Sequence, residues 1–258
     1  MHSYVCVLST NEYLDGLLVI NENLKRLKSN YPLLCLINEN ISKETREILN
    51  KFQIPYKEQK SVILESDYGK TRWGYTFDKL NIFNLTEYEK IVYLDLDFLL
   101  LENIDHLFDI DVFSMVSDHP KYENYYCSAL MVIKPNKDDY DALISLLEEK
   151  NKSGVSGIGD QDLINEHFKN NKNKIPIEYN FIKGIKPQMI EVFDEIKGET
   201  TQKYFCKDYY YSEKPKIIHY YGDIKPFSIK KEFDDEYCHL YYYYLSIVRK
   251  QKRRLTQS

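Results

Sequence analysis

Short continuous apolar runs alternate along the chain with longer stretches whose apolar residues recur every three or four positions. YVCVL (Tyr4 to Leu8) and LLCLI (Leu33 to Ile37) are runs of the first kind and predict strands. Between them Leu14, Leu17, Leu18, Leu24 and Leu27 mark one face of a helix. ISKETREILNKF predicts a second helix and TFDKLNIFNL (Thr76 to Leu85) a third, while IVYLD, VFSMV and ALMVI predict further strands. DDYDALISLLEEK sets Tyr140, Leu143, Ile144 and Leu147 on one helical face, and QDLINEHF predicts another helix. KIIHY (Lys216 to Tyr220) follows as a late strand, and Phe233, Tyr237, Leu240, Tyr241, Tyr244 and Val248 mark a closing helix. Strands that are apolar throughout and alternate with helices predict a mainly parallel sheet covered on both faces. No repeat or linker divides the chain. One α/β domain is expected over residues 1–230, with a C-terminal helix and basic tail, 231–258, packed on it.

One run breaks its own pattern. IVYLDLDFLL, Ile91 to Leu100, carries Asp95 and Asp97 among apolar residues. Carboxylates are rarely fully buried without a partner. At a strand end, residues i and i+2 share a face about 6 Å apart, where two such charges repel by about 3 kcal/mol. A divalent cation with oxygen ligands, completed by a diphosphate, would relieve that repulsion. In open α/β sheets ligands sit beyond the carboxyl ends of the strands. Other polar residues fall at such ends: Ser9 to Asn11 after YVCVL, Asp118 after VFSMV, and His219 at the end of KIIHY. His219 is then the natural third protein ligand, since manganese accepts imidazole. The chain has neither of the common phosphate-cradling glycine motifs, so metal, backbone and Lys79 or Lys225 must balance the diphosphate charge.

Composition narrows the partners. A formal net charge of -5 gives no general attraction to nucleic acid or anionic membrane, and the basic run VRKQKRR reads as a solvated helix end. Five scattered cysteines without a C-x-x-C fit reduced thiols better than a disulfide frame or zinc site. No signal-like or membrane-spanning apolar stretch is evident, so a cytoplasmic protein is expected.

These residues, taken in order, resemble glycosyltransferase family 8, the glycogenin and galactinol synthase group of retaining enzymes. The similarity runs from about Tyr4 to Phe227. Its densest block is KLNIFNLTEYEKIVYLDLDFLLLENIDHLFD; GDQDLIN, IPIEYN and KIIHYYGDIKPF follow in the family's order. The resemblance implies a single Rossmann-like nucleotide-sugar-binding domain of the glycosyltransferase A type. It implies Asp95, Asp97 and His219 as manganese ligands, with magnesium as the alternative ion. Leu8, Thr10, Asn11, Tyr13, Lys79, Leu96, Gly222 and Lys225 correspond to the nucleotide pocket, Gly222 and Lys225 lying on a loop that closes on the diphosphate. Asp118, Cys127, Ser128, Asp160 and Gln161 correspond to contacts with the donor sugar. Lys225 is implied to stabilise the departing UDP, and Asp160 to stabilise developing charge on the sugar, to orient it, or to cap the helix QDLINEHF. The resemblance also implies a homodimer.

The chain departs from the family at three places. Cys127-Ser128-Ala129 stands where Asn-Ser-Gly is common, and Gly157 where the glycogenins have a second Asp. The acceptor tyrosine that glycogenins carry soon after Tyr-Asn is missing, leaving the cluster Tyr209 to Tyr211 as another candidate acceptor, packing or surface feature. The expected activity is metal-dependent transfer of a hexose, glucose first, from a UDP-sugar to a saccharide, polyol or protein. Two alternatives stand beside it: transfer from UDP-galactose to a polyol, and a catalytically silent nucleotide-sugar or saccharide-binding protein.

Overall fold

The structure, a computed structural model, describes residues 1–63, 72–118, 125–155, 157–194, 199–208, 214–222, 225–228 and 236–256. Phe233 and the Tyr209 to Tyr211 cluster lie outside them. The described strands are β1 (His2–Leu8), β2 (Leu33–Ile37), β3 (Tyr56–Glu58), β4 (Lys90–Leu94), β5 (Phe98–Leu100), β6 (Ser114–Ser117), β7 (Tyr126–Ile133), β8 (Asn173–Ile175), β9 (Phe181–Asp194), β10 (Glu199–Asp208) and β11 (Ile217–His219). The helices are α1 (Leu14–Arg26), α2 (Lys43–Lys51), α3 (Lys137–Lys152), α4 (Asp160–His167) and α5 (Glu236–Thr256).

The main sheet has the order β3-β2-β1-β4-β7-β6-β8. Its pairs are parallel except those of β7, which runs against both β4 and β6. The mainly parallel sheet expected from the apolar runs is present. Both faces of its inner strands are buried, and alternation sorts their side chains into two cores. Tyr4, Cys6, Leu8, Leu33, Cys35, Ile37, Val92 and Leu94 join the buried residues of α1, α2 and α5. Val5, Leu34, Leu36, Ile91 and Tyr93 join those of α3, α4 and the segment Arg72–Asn84. The closing helix α5 shares the first core through Cys238, Tyr241, Tyr244, Leu245 and Val248.

Two expectations change. The apolar periodicity of TFDKLNIFNL predicts an ordinary helix, but Arg72–Asn84 winds as consecutive 3-10 turns. In that geometry side chains three apart eclipse one another. The segment uses all three resulting lines. Phe77, Leu80 and Phe83 enter the second core. Asp78 and Asn81 bind the neighbouring loop, Asp78 accepting from Asn38 Nδ2, Ser61 Oγ and Val62 N, and Asn81 donating to Lys60 O. Thr76 and Lys79 line a cavity. The second change concerns IVYLDLDFLL, which is not one strand. β4 ends at Leu94 in the main sheet, and β5 begins at Phe98 in a second sheet of order β10-β9-β11-β5. Asp95 to Asp97 is the bend between the two sheets.

Candidate active site

The bend opens onto a cavity of about 500 Å³ at the carboxyl ends of β1 and β4. Its position follows from the register of the second sheet. β11 pairs antiparallel with β5 so that His219 faces Phe98, and Tyr220 N donates to Asp97 O at 3.0 Å. This brings His219 Nε2 to 3.5 Å from Asp97 Oδ1. One ligand atom from each of Asp95, Asp97 and His219 lies within 4.8 Å of the others, the one such cluster among the described residues. Asp97 Oδ1 is buried and has no hydrogen-bond partner, which is costly unless something else meets it.

The histidine is held in a ligating tautomer. Asn180 Nδ2 donates to Ser117 O at 2.9 Å, which fixes the amide and turns Oδ1 toward the imidazole. Oδ1 accepts from His219 Nδ1 at 2.7 Å, so Nε2 presents its lone pair to Asp97. Asp95 is oriented by the Tyr93 hydroxyl, which donates to its Oδ1. Neither Tyr93 nor Asn180 was identified as part of the site from sequence.

Two lysines balance the carboxylates. Lys225 Nζ donates to Asp97 Oδ2 at 2.5 Å and to Tyr220 O at 3.0 Å. Lys79 Nζ lies 3.2 Å from Asp95 Oδ1 and 2.8 Å from Asp160 Oδ2, and donates to Ser128 Oγ at 3.0 Å. Burial opposes ionisation of Asp97, but the Lys225 ammonium outweighs it and holds the carboxyl well below the usual range. For Asp95 burial wins, aided by Asp97 and opposed by Lys79, and its carboxyl is raised. Burial likewise disfavours charge on Lys79, yet Asp160 and Asp95 keep it firmly protonated. Three carboxylates thus face two ammonium groups, and a cation is the charge the cluster lacks. The donor set, two carboxylates and an imidazole nitrogen, fits a hard or borderline divalent ion.

Asp160 does not cap its helix. The cap position of α4 is Gly159, whose N–H is met by Asp162 Oδ2 at 2.8 Å. The Asp160 carboxylate is turned instead to the cavity, where Oδ2 accepts from Ser128 Oγ at 2.7 Å. Gln161 Oε1 accepts from Ser128 N at 3.1 Å, which ties the same strand to the helix start.

Of the other residues expected from sequence, Thr10, Tyr13, Leu96, Cys127, Ser128, Gln161 and Gly222 also line the cavity. Leu8, Asn11 and Asp118 do not. Leu8 points into the first core because strand alternation gives the cavity face to Val7. Asn11 Oδ1 accepts from Ser42 N, and Asp118 lies beyond the wall, near enough to Cys127 to add to the effect of burial in raising its thiol. Gly157 also lines the cavity, with φ +77 and nothing within 4 Å of a Cβ built on it. Backbone conformation, rather than space, favours glycine where the resemblance had suggested an aspartate. Phe227, absent from the sequence-based set, lines the wall and meets the Tyr13 ring edge-on at 5.3 Å.

This fold and site define a glycosyltransferase of the A type. The chain superposes on the galactosyltransferase LgtC, solved with donor and acceptor sugar analogs, with a TM-score of 0.66 at 15% identity, covering 97% of this chain and 96% of that one. Residues 4–229 match the model of glycosyl transferase family 8, and the chain belongs to that family. It is 29% identical to galactinol synthase 1 of Solanum lycopersicum over 74% of this chain and 68% of the relative. It is 28% identical to glycogenin-2 of Homo sapiens over 86% of this chain, spanning 43% of that longer protein. No helix among the described residues is long and apolar enough to cross a membrane.

Proposed function

We propose that this glycosyltransferase moves a hexose, with glucose the first expectation, from a UDP-sugar to a saccharide, polyol or protein acceptor, with retention at the anomeric carbon. The observation that carries the reading is Asp97 Oδ1, buried and unpartnered beside His219 Nε2 and within one cluster with Asp95. These residues would hold a divalent cation, manganese by preference. When bound, the ion supplies Lewis-acid stabilisation of the diphosphate charge.

The chain's own residues account for the rest. Lys225 lies on the cavity wall beside the cluster and offers a positive charge to the departing UDP. Tyr13 and Phe227 supply aromatic surface for the uracil ring. Asp160, fixed by Ser128 and Lys79, presents a carboxylate where positive charge develops on the sugar. The bond from C1 to the diphosphate oxygen breaks, and a bond from C1 to the acceptor hydroxyl oxygen forms on the same face. The hydroxyl proton leaves with the diphosphate.

UDP release from a panel of UDP-sugars, with and without manganese, tests the reading, and product mass then identifies the acceptor. Metal-dependent release with one donor supports it. Metal-dependent UDP binding without release or transfer would select a silent binder, and no UDP binding would sink the proposal. Transfer from UDP-galactose to a polyol is the second reading, supported by the similarity to galactinol synthase 1 over most of both chains.

A further inference from the structure

One side chain of the C-terminal helix braces the wall of the cavity from behind. Arg249, on α5, donates from Nε to Asp15 Oδ2 at 2.8 Å and from Nη2 to Phe227 O at 2.8 Å. Asp15 lies in the first turn of α1, directly after the cavity residue Tyr13 and Leu14. Phe227 belongs to a turn closed by Ser228, whose Oγ accepts from Lys225 N at 3.1 Å and donates to Lys225 O at 2.8 Å. From that turn the Lys225 ammonium reaches Asp97. The guanidinium therefore spans the two pieces of wall whose rings, Tyr13 and Phe227, meet edge-on.

We propose that Arg249 is a positioning residue for donor binding, locking the turn that carries Lys225 and Phe227 against the start of α1. The inference rests on the UDP-sugar reading of the cavity. Its energetics separate it from simple adhesion between helices. The Arg249 side chain is 40% exposed, so water screens its charge and the ion pair adds little to stability. What the planar fork supplies is geometry: one donor on a carboxylate and another on a backbone carbonyl, set at a fixed angle. Lys252 Nζ, one helical turn further on, lies 3.7 Å from Asp15 Oδ1, so a second cation of the same helix faces that carboxylate.

Arg249→Met keeps most of the aliphatic stem and removes both hydrogen bonds. Measured on the full chain with manganese, the UDP dissociation constant and the donor KM should each rise about tenfold. The values of kcat and acceptor KM, and the thermal midpoint, should stay near those of the unaltered protein. Arg249→Lys retains charge opposite Asp15 but loses the fork, and should give an intermediate donor KM. Unchanged UDP affinity in Arg249→Met, or a kcat that falls in step with stability, overturns the proposal. Should Arg249→Met not fold, an unchanged donor KM in Arg249→Lys overturns it equally. An unaltered protein that binds no UDP overturns the reading of the cavity, and this inference with it.

Discussion

Gly16 is where one methyl group should separate stability from metal binding. It lies in the first turn of α1, and a Cβ there would sit 2.3 Å from Leu96 O and 2.9 Å from the Phe227 ring. Leu96 is the residue between Asp95 and Asp97. Real side chains essentially never approach closer than 3.0 Å, and ordinary contact begins at 3.4 Å. Gly16→Ala must therefore push the Asp95–Asp97 bend away from α1 by about 1 Å, because a backbone carbonyl cannot rotate aside as a flexible side chain would. Alanine improves helix propensity by about 0.5–1 kcal/mol, while overpacking costs about 1–3 kcal/mol, so the net loss should be at most about 2.5 kcal/mol. For a chain of this size that lowers the thermal midpoint by no more than about 10 °C. The site should suffer more. Metal ligands tolerate displacements of only about 0.2 Å, and a misplacement of about 1 Å can cost about 100-fold in rate. Titration calorimetry with manganese and UDP, beside a thermal melt, should show a folded variant with at least about tenfold weaker metal binding. Wild-type manganese affinity and turnover in Gly16→Ala would refute the claim that α1 sets the bend.

Other predictions address single contacts. Asp97→Asn removes a metal-facing charge, and Lys225, on the cavity wall, can turn into the open space; metal-dependent UDP release should fall more than about 100-fold while far-ultraviolet circular dichroism persists. Normal transfer by the folded variant would count strongly against the cluster's role. Asn180→Ala frees the His219 ring and should weaken manganese binding about 10- to 100-fold, with unchanged affinity arguing against tautomer control. Asp105 gives a pH prediction. Partial burial raises its carboxyl, but hydrogen bonds from Asn30 N, Ser29 Oγ and Tyr4 OH outweigh this and lower it. A carboxyl lowered in the fold contributes stability that is full above the ordinary value near about pH 4 and is lost as pH falls through the lower folded value. The stability gap between wild type and Asp105→Asn in urea titrations should therefore narrow below about pH 4. A gap that stays constant across that range would contradict it.

The strands and helices that build the sheet were legible because burial on two faces leaves a local signature. YVCVL, LLCLI and KIIHY lie within or overlap β1, β2 and β11, and the helical stripes correspond to α1, α2 and α3. The short strands β3, β5 and β8 carry too few residues for a pattern to emerge. Arg72–Asn84 misled for a different reason: with side chains used on three lines, a period of three and one of 3.6 look alike over so short a stretch.

The cluster itself was half visible. Two carboxylates in an apolar run and a histidine ending a late strand are composition facts, and Asp95, Asp97 and His219 do meet. The reason expected for the meeting was alternation along one strand, whereas the chain bends between two sheets at that point. Local sequence thus determined which residue types stand where the backbone leaves the core. Which of them share a space was decided by register between distant strands, which pairs His219 with Phe98 and sets Asn180 behind the imidazole. Gly16 and Arg249 had no local sign at all, because Gly16 is set by Leu96, 80 positions away, and Arg249 by Asp15, 234 positions away, distances only the folded chain closes.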